Sequence, residues 1–325
     1  MPTTSSLADA LEAGSDKSRE PMDNKTSVLN NIFGYESFKG KQEEAINAIL
    51  QGDNCLIVLP TGGGKSLCYA IPTVISGCVS IVICPLLSLM MDQVNFLRSK
   101  GLNVCYLNSS VPQCDRDTVI HHMLSSTPDY NFVFVTPEIA VTPYMLDLFS
   151  KMKWNGTISY IVIDECHCID MWGFDVRPAY ANLSCLTELN CQVIALTATC
   201  SPRTEHVILS SLNLHKATII RQTCDRPNVS LNVQPKKGDG KEQITKMILE
   251  ECHNQCGIIY CLESAATLYM AFSLQSKGIN ATYYHAALDP FKKQENVQAW
   301  LDGKALAICA TIAFGMGINK PNVRF

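Results

Sequence analysis

CLIVLPTGGGKSLCYAIP, residues 55–72, is the stretch on which the reading of this chain turns. It begins as a short unbroken apolar run, the pattern of a strand covered on both faces. Three glycines, Lys65 and Ser66 follow, and then an apolar segment of helical length. Consecutive glycines let the backbone fold tightly and aim N–H groups inward, and the opening turn of a helix adds the positive end of its dipole. Thr61, Gly62, Gly63, Gly64, Lys65 and Ser66 thus read as a phosphate cradle. Lys65 would reach the β and γ phosphates, and the Ser66 hydroxyl would sit on Mg²⁺. The strict Gly-x-x-x-x-Gly-Lys-Ser spacing is not met, because Leu59 stands at the first glycine. The competing reading is a Gly-rich turn that merely displays a lysine.

Working outward, similar apolar runs occur at 79–85, 132–137, 158–164 and 192–199, with helical stretches at 41–51, 88–100 and 144–152 between them. Buried strands alternating with helices predict an α/β fold with a parallel sheet covered on both sides. A second series at 257–261, 281–285 and 305–311 repeats this grammar after a Pro-, Gly- and Lys-rich stretch at 235–241, the best linker candidate. The length of 325 residues also favours two domains over one. At the end of the run 158–163 stand Asp164 and Glu165. Carboxylates at the C-terminal end of a buried strand lie where open α/β sheets bind ligands. Asp164 would hold Mg²⁺, and Glu165 would take a proton from an attacking water. On its own the pair also reads as a solvated acidic turn. Beside a phosphate cradle it reads as the second half of a phosphoryl-transfer site.

The composition narrows the classes. A net charge of −4 shows no basic block, so any nucleic-acid site must be a local arrangement inside a cleft. The first twenty residues have neither the basic start nor the apolar segment of a secretory leader, and no apolar run is long enough to span a bilayer. The sixteen cysteines are scattered through apolar runs, as expected of small buried hydrophobes in a reducing interior. The nearest zinc candidates, Cys166/His167/Cys168 and Cys252/Cys256, lack the usual paired spacing.

Taken in order, FGYESFKGKQ, LPTGGGKSLCY, VICPLLSLMMDQV, TPE, DECH, LTAT, CDRPN, GIIYC, YYHAAL and ATIAFGMGINKPNVRF resemble the successive motifs of RecQ-type DNA helicases, from about Phe33 to Phe325. The resemblance implies two RecA-like parallel-sheet lobes that clamp ATP. Residues 1–25 would be a disordered tail, 26–222 the ATP-binding lobe and 223–325 a partial second lobe that stops before its closing strands. It implies an ATP-dependent 3′–5′ helicase that unwinds duplex DNA while holding a single strand, works in DNA repair and recombination, and resides in the nucleus without a membrane. Tyr35 would stack on adenine, Gln42 would bond its edge, and Lys39 stands where Arg is usual. Thr197 and Thr199 would link ATP state to lobe movement, with His167 beside them.

The segment 168–180 resembles the family's aromatic-rich loop, in which Trp172 and Arg177 would meet single-stranded DNA. Met171, Phe174 and Val176 depart from that pattern, and packing of the loop onto the core is the plainer alternative. His285 and Thr311 match positions near the DNA track, although His285 also reads as a satisfied strand-end histidine. Glu263 stands near a usual phosphate contact, which an acid would oppose. The family's finger arginine lies beyond the segment matched, and such a residue contributes about 10³–10⁵ in rate in other phosphoryl-transfer systems. Two readings therefore stand: a helicase motor, or a module that binds ATP and DNA without efficient turnover. A DExH RNA helicase is a third, which CDRPN and FGMGINKPNVRF disfavour.

Overall fold

The computed structural model describes residues 21–108, 111–125, 129–172, 178–225, 227–312, 314–315 and 320–325. The chain divides into two compact units, the first ending at Asp225 and the second continuing to Phe325.

In the first unit, strands β1 (Cys55–Val58), β2 (Val79–Ile83), β3 (Val104–Leu107), β4 (Phe132–Val135), β5 (Ile158–Ile163), β6 (Gln192–Thr197) and β7 (Thr218–Arg221) form one sheet, in the order β3-β4-β2-β5-β6-β1-β7. Every pairing is parallel. The apolar runs are explained by burial on both faces. Ile57, Val82, Val162, Ile194 and Leu196 pack with the helices Gln42–Leu50, Lys65–Ser76 and Leu87–Ser99. The alternate residues Leu56, Val58, Ile81, Ile83, Ile161 and Ile163 are just as buried. Each such side chain contributes about 1.5–3 kcal/mol on full burial, so the sheet register is strongly specified. In each of these runs, sequence periodicity located the strand.

It did not locate β3 or β7, the two outer strands of the sheet. β3 is only partly buried at Tyr106 and is bounded by Asn103 and Asn108, and β7 leaves Ile219 and Arg221 exposed, so neither lies in a long apolar run.

The expected disordered tail is corrected at its C-terminal end. Pro21–Val28 is helical, and Lys25 is buried with its ammonium 2.9 Å from Glu43 and 2.6 Å from Asn47 Oδ1. A buried cation is retained when both a charge and a hydrogen-bond acceptor meet it. Residues 1–20 lie outside the described residues. The linker candidate 235–241 is also displaced, because the division falls at Asp225 and that stretch belongs to the second unit. There Gln243 ties its amide to Gln234 and accepts from the Lys237 N–H, ahead of the helix Lys241–Glu251.

The second unit holds a smaller parallel sheet, β8 (Gly257–Tyr260), β10 (Ala307–Ala310) and β9 (Ala281–Tyr284), with β10 central. Val323–Phe325 runs beside β8: Cys256 bridges Val323, and the Ile258 N–H donates to Phe325 O at 2.8 Å. Trp300 is wholly buried and donates its indole N–H to Gly257 O at 3.1 Å, with Phe314 edge-on to it. No described helix is long and apolar enough to cross a membrane. All sixteen cysteines are free thiols.

Candidate nucleotide site

The C-terminal ends of β5, β6 and β1 lie side by side, and the loops that leave them carry the chemistry. Backbone bonds continue past the strand ends and hold these loops in place. Asp164 N donates to Ile83 O at 3.0 Å, Cys166 N to Leu196 O at 2.9 Å, and Leu59 N to Thr197 O at 3.1 Å.

After β1 the chain turns tightly, with the Gly63 N–H on Pro60 O at 2.8 Å, and Gly64 caps the helix Lys65–Ser76 in a left-handed conformation at φ 73°. Only glycine fits at two points. A Cβ on Gly63 would lie 2.8 Å from Pro60 O, and one on Gly64 would lie 2.0 Å from Gln42 Nε2. Lys65 and Ser66 open the helix, half-buried, where the first N–H groups have no partner within the helix. Thr61 and Gly62 are exposed beside them.

Glu165 sits at φ 49°, a conformation uncommon for a residue with a side chain and concentrated at functional sites. This turn brings its carboxylate 3.3 Å from His167 Nδ1, which also lies 2.9 Å from Thr197 Oγ1. Thr197 Oγ1 in turn donates to Thr199 O and accepts from Thr199 N–H. Glu165, His167, Thr197 and Thr199 therefore form one hydrogen-bonded chain from β5 to the loop after β6.

The electrostatics bind the pieces together. Burial pushes Asp164 up to about 6, helped by the Glu165 charge and opposed by Gln93 and Lys65. Burial also pulls Glu165 upward, but the hydrogen bond from His167 and the Lys65 charge outweigh it and hold Glu165 below the usual carboxylate range. Burial works against the charge on His167, yet its bonds to Cys168 and Glu165 raise it to about 9. Lys65 acts on both carboxyls, so the glycine loop and the acidic strand end share one site.

The remaining expected residues divide. Gln42 is buried, and its amide is already engaged: Oε1 accepts from Lys39 N at 2.7 Å, and Nε2 donates to Gly64 O at 3.0 Å and Gly63 O at 3.3 Å. In this structure it braces the phosphate loop rather than presenting a free edge for a base. Lys39 is exposed. Tyr35 is 39% exposed, with Lys100 Nζ 5.8 Å from its ring centroid and 2.8 Å from Phe33 O. Residue 172 ends the short helix Cys168–Trp172, and Arg177 lies outside the described residues. Sequence reasoning passed over three residues: Tyr69, Gln93 and Lys100. Tyr69 and Gln93 fall inside motifs of the resemblance but carried no assigned role, Lys100 ends a helical stretch, and only packing shows what each touches.

The sequence matches the DEAD/DEAH box helicase family over residues 39–207, just over half of the chain. The chain belongs to that family. Its helicase relatives are of the RecQ type. It is 39% identical over 300 residues to the ATP-dependent DNA helicase RecQ of Pasteurella multocida, covering 92% of this chain and 46% of the relative. It is 37% identical over 303 residues to the RecQ-like DNA helicase BLM of Xenopus laevis, covering 92% of this chain and 22% of that one. The chain thus spans less than half the length of both. Among solved structures, the Mycobacterium smegmatis helicase Lhr bound to ssDNA and AMP-PNP shares the fold, with a TM-score of 0.63 at 19% identity, covering 90% of this chain and 42% of that one.

In the second unit, His285 and Thr311 lie at the C-terminal ends of β9 and β10, where the Thr311 N–H donates to Tyr284 O at 3.2 Å. His285 is not the satisfied strand-end histidine of the simpler reading. Its ring stacks on Tyr283, but its buried Nδ1 has no hydrogen-bond partner among the described residues. Among the described residues no group of three or more His, Cys, Asp or Glu side chains could hold a metal ion by itself. A divalent cation at this site would therefore need ligands from elsewhere, as from a bound nucleotide's phosphates.

Proposed function

We propose that this chain is the motor portion of an ATP-dependent DNA helicase of the RecQ type, moving 3′ to 5′ and coupling hydrolysis to strand separation. One observation carries the reading: the Lys65 loop and the Asp164–Glu165 strand end meet at adjacent strand termini, where the Lys65 charge acts on both carboxyls. The residues fit ATP with Mg²⁺. Gly63 and Gly64 let the loop turn where a Cβ would meet Pro60 O or the Gln42 amide, and Ser66 and Asp164 supply the hard oxygen donors that Mg²⁺ prefers. When bound, the cation neutralises phosphate charge as it develops.

The protein's own groups then have distinct tasks. Lys65 and the helix N-terminus hold the β and γ phosphates. Glu165, kept ionised by His167, accepts the proton of the attacking water at its carboxylate. The chain Glu165–His167–Thr197–Thr199 carries a change at the phosphates to the loop after β6. Trp172, Arg177, His285 and Thr311 are assigned to DNA, and Tyr35 to the adenine face. The DNA substrate is supported by the printed names of the RecQ relatives and by the ssDNA in the Lhr structure. Nuclear placement rests on that substrate alone, since the relatives include a bacterial helicase.

The test is ATP hydrolysis by the purified chain with single-stranded DNA, with RNA of the same sequence, and without either. Stimulation by DNA above RNA is expected. Lys65→Ala should weaken nucleotide binding, and Glu165→Gln should keep binding while turnover stops. A folded chain that ignores ATP with magnesium in calorimetry would refute the proposal, and binding without turnover would leave a nucleotide-binding module.

A further inference from the structure

Asp164 is buried and acceptor-only when ionised, so its orientation depends on the donors that reach it. There are two. The Glu165 N–H takes Oδ1 at 3.0 Å, and Gln93 Nε2 takes Oδ2 at 2.5 Å. Gln93 is itself held from its other end, where Oε1 accepts from the Tyr69 hydroxyl at 2.5 Å.

The direction of this chain follows from chemistry. Tyr69 is 1% exposed, and burial holds its phenol far from ionisation, so it donates. A primary amide can receive that proton only at its oxygen, which turns its NH₂ toward Asp164. Without Tyr69 the amide could turn over and present an oxygen to a carboxylate, a repulsive contact. The three residues come from three elements. Tyr69 lies one turn past Lys65 on the helix that leaves the phosphate loop. Gln93 lies midway along Leu87–Ser99, and Asp164 follows β5. The chain therefore ties the carboxylate to the helix that positions the phosphates.

We propose that Gln93, oriented by Tyr69, is a positioning residue that presents the Asp164 carboxylate to a divalent cation. This rests on the reading of Asp164 as the cation ligand of the nucleotide site. With one donor on each oxygen, the carboxylate plane is set and the remaining lone pairs face the ligand. Gln93 touches neither nucleotide nor cation in this scheme and acts through Asp164 alone. Loss of an outer partner of a metal-binding carboxylate costs about 10–100-fold in metal affinity.

The experiment measures the affinity of the purified chain for a fluorescent, non-hydrolysable ATP analogue, first in EDTA and then across a magnesium titration. The wild type should bind more tightly as magnesium rises. Gln93→Leu should match the wild type in EDTA within about twofold while needing about tenfold more magnesium for half of the tightening. Tyr69→Phe, which removes a single oxygen and keeps the ring packed, should shift the midpoint in the same direction by less. The Tyr69 hydroxyl also meets Ser66, so adding Tyr69→Phe to Gln93→Leu should shift the midpoint by less than Tyr69→Phe does in the wild type. An unchanged magnesium midpoint in Gln93→Leu overturns the proposal. So does an equal loss with and without magnesium, which marks a purely structural role. Should Gln93→Leu not fold, an unshifted midpoint in Tyr69→Phe overturns it alone. A wild type that binds the analogue without regard to magnesium removes the nucleotide-site reading itself, and the proposal with it.

Discussion

Replacing Gly64 by alanine tests whether Gln42 braces the phosphate loop, and Gly62 provides the matched control. Both glycines are left-handed, at φ 73° and φ 77°. A side chain in that region costs about 1–2 kcal/mol whatever the space around it. Around Gly62 there is room, with no atom within 4 Å of an added Cβ. At Gly64 the added Cβ would fall 2.0 Å from Gln42 Nε2, so the amide must leave. Its bonds to Gly64 O, Gly63 O and Lys39 N are then at stake. Retaining one of the three and losing two, at about 0.5–1.5 kcal/mol each, adds about 1–3 kcal/mol. Gly62→Ala should therefore cost about 1–2 kcal/mol, and Gly64→Ala about 2–5 kcal/mol. The assay is urea unfolding followed by circular dichroism, repeated in a Gln42→Ala background. There the obstacle is gone, and the excess cost of Gly64→Ala should vanish. Equal losses at the two glycines, or an excess that survives removal of Gln42, would refute the reasoning.

Three further outcomes are expected. His167 is raised to about 9 in the fold, so its charge stabilises fully below its ordinary value near 6.5 and that stabilisation is lost as pH rises through 9. The gap in melting temperature between wild type and His167→Ala should therefore be largest at pH 6 and shrink by pH 9.5; a gap independent of pH would contradict the ion pair with Glu165. In the second unit, a Cβ on Gly257 would lie 2.2 Å from the Phe325 ring, so Gly257→Ala should destabilise by about 1–3 kcal/mol, with recovery when Phe325 is also alanine. Absence of that recovery in urea melts would show that the ring is not the obstacle. Trp172→Ala should leave nucleotide affinity intact and reduce stimulation of hydrolysis by single-stranded DNA, and undiminished stimulation would take the aromatic-rich loop out of DNA contact.

The central strands were legible because each is covered on both faces and so reads as an unbroken apolar run. β3 and β7 were not, because each is an outer strand with polar flanks, and β7 is half wet, so neither stands out as a buried apolar run. Lys25 was read as part of a disordered tail because a polar composition predicts exposure, while its burial depends on Glu43 and Asn47 from another helix.

The site divides in the same way. Gly63, Gly64, Lys65, Ser66, Asp164 and Glu165 were visible because their chemistry depends on local order: glycines in succession, a lysine at a helix start, acids at a strand end. Local sequence also located the α/β alternation and the two sheets. Folding settled which distant groups those residues meet. It placed Gln93 on Asp164, Tyr69 on Gln93, His167 between Glu165 and Thr197, and the Gln42 amide, expected at an adenine edge, against the phosphate loop. Hydrogen bonds between elements 21 to 71 residues apart have no signature in a linear pattern, because a glutamine on a helix face looks the same whether it meets water or a buried carboxylate.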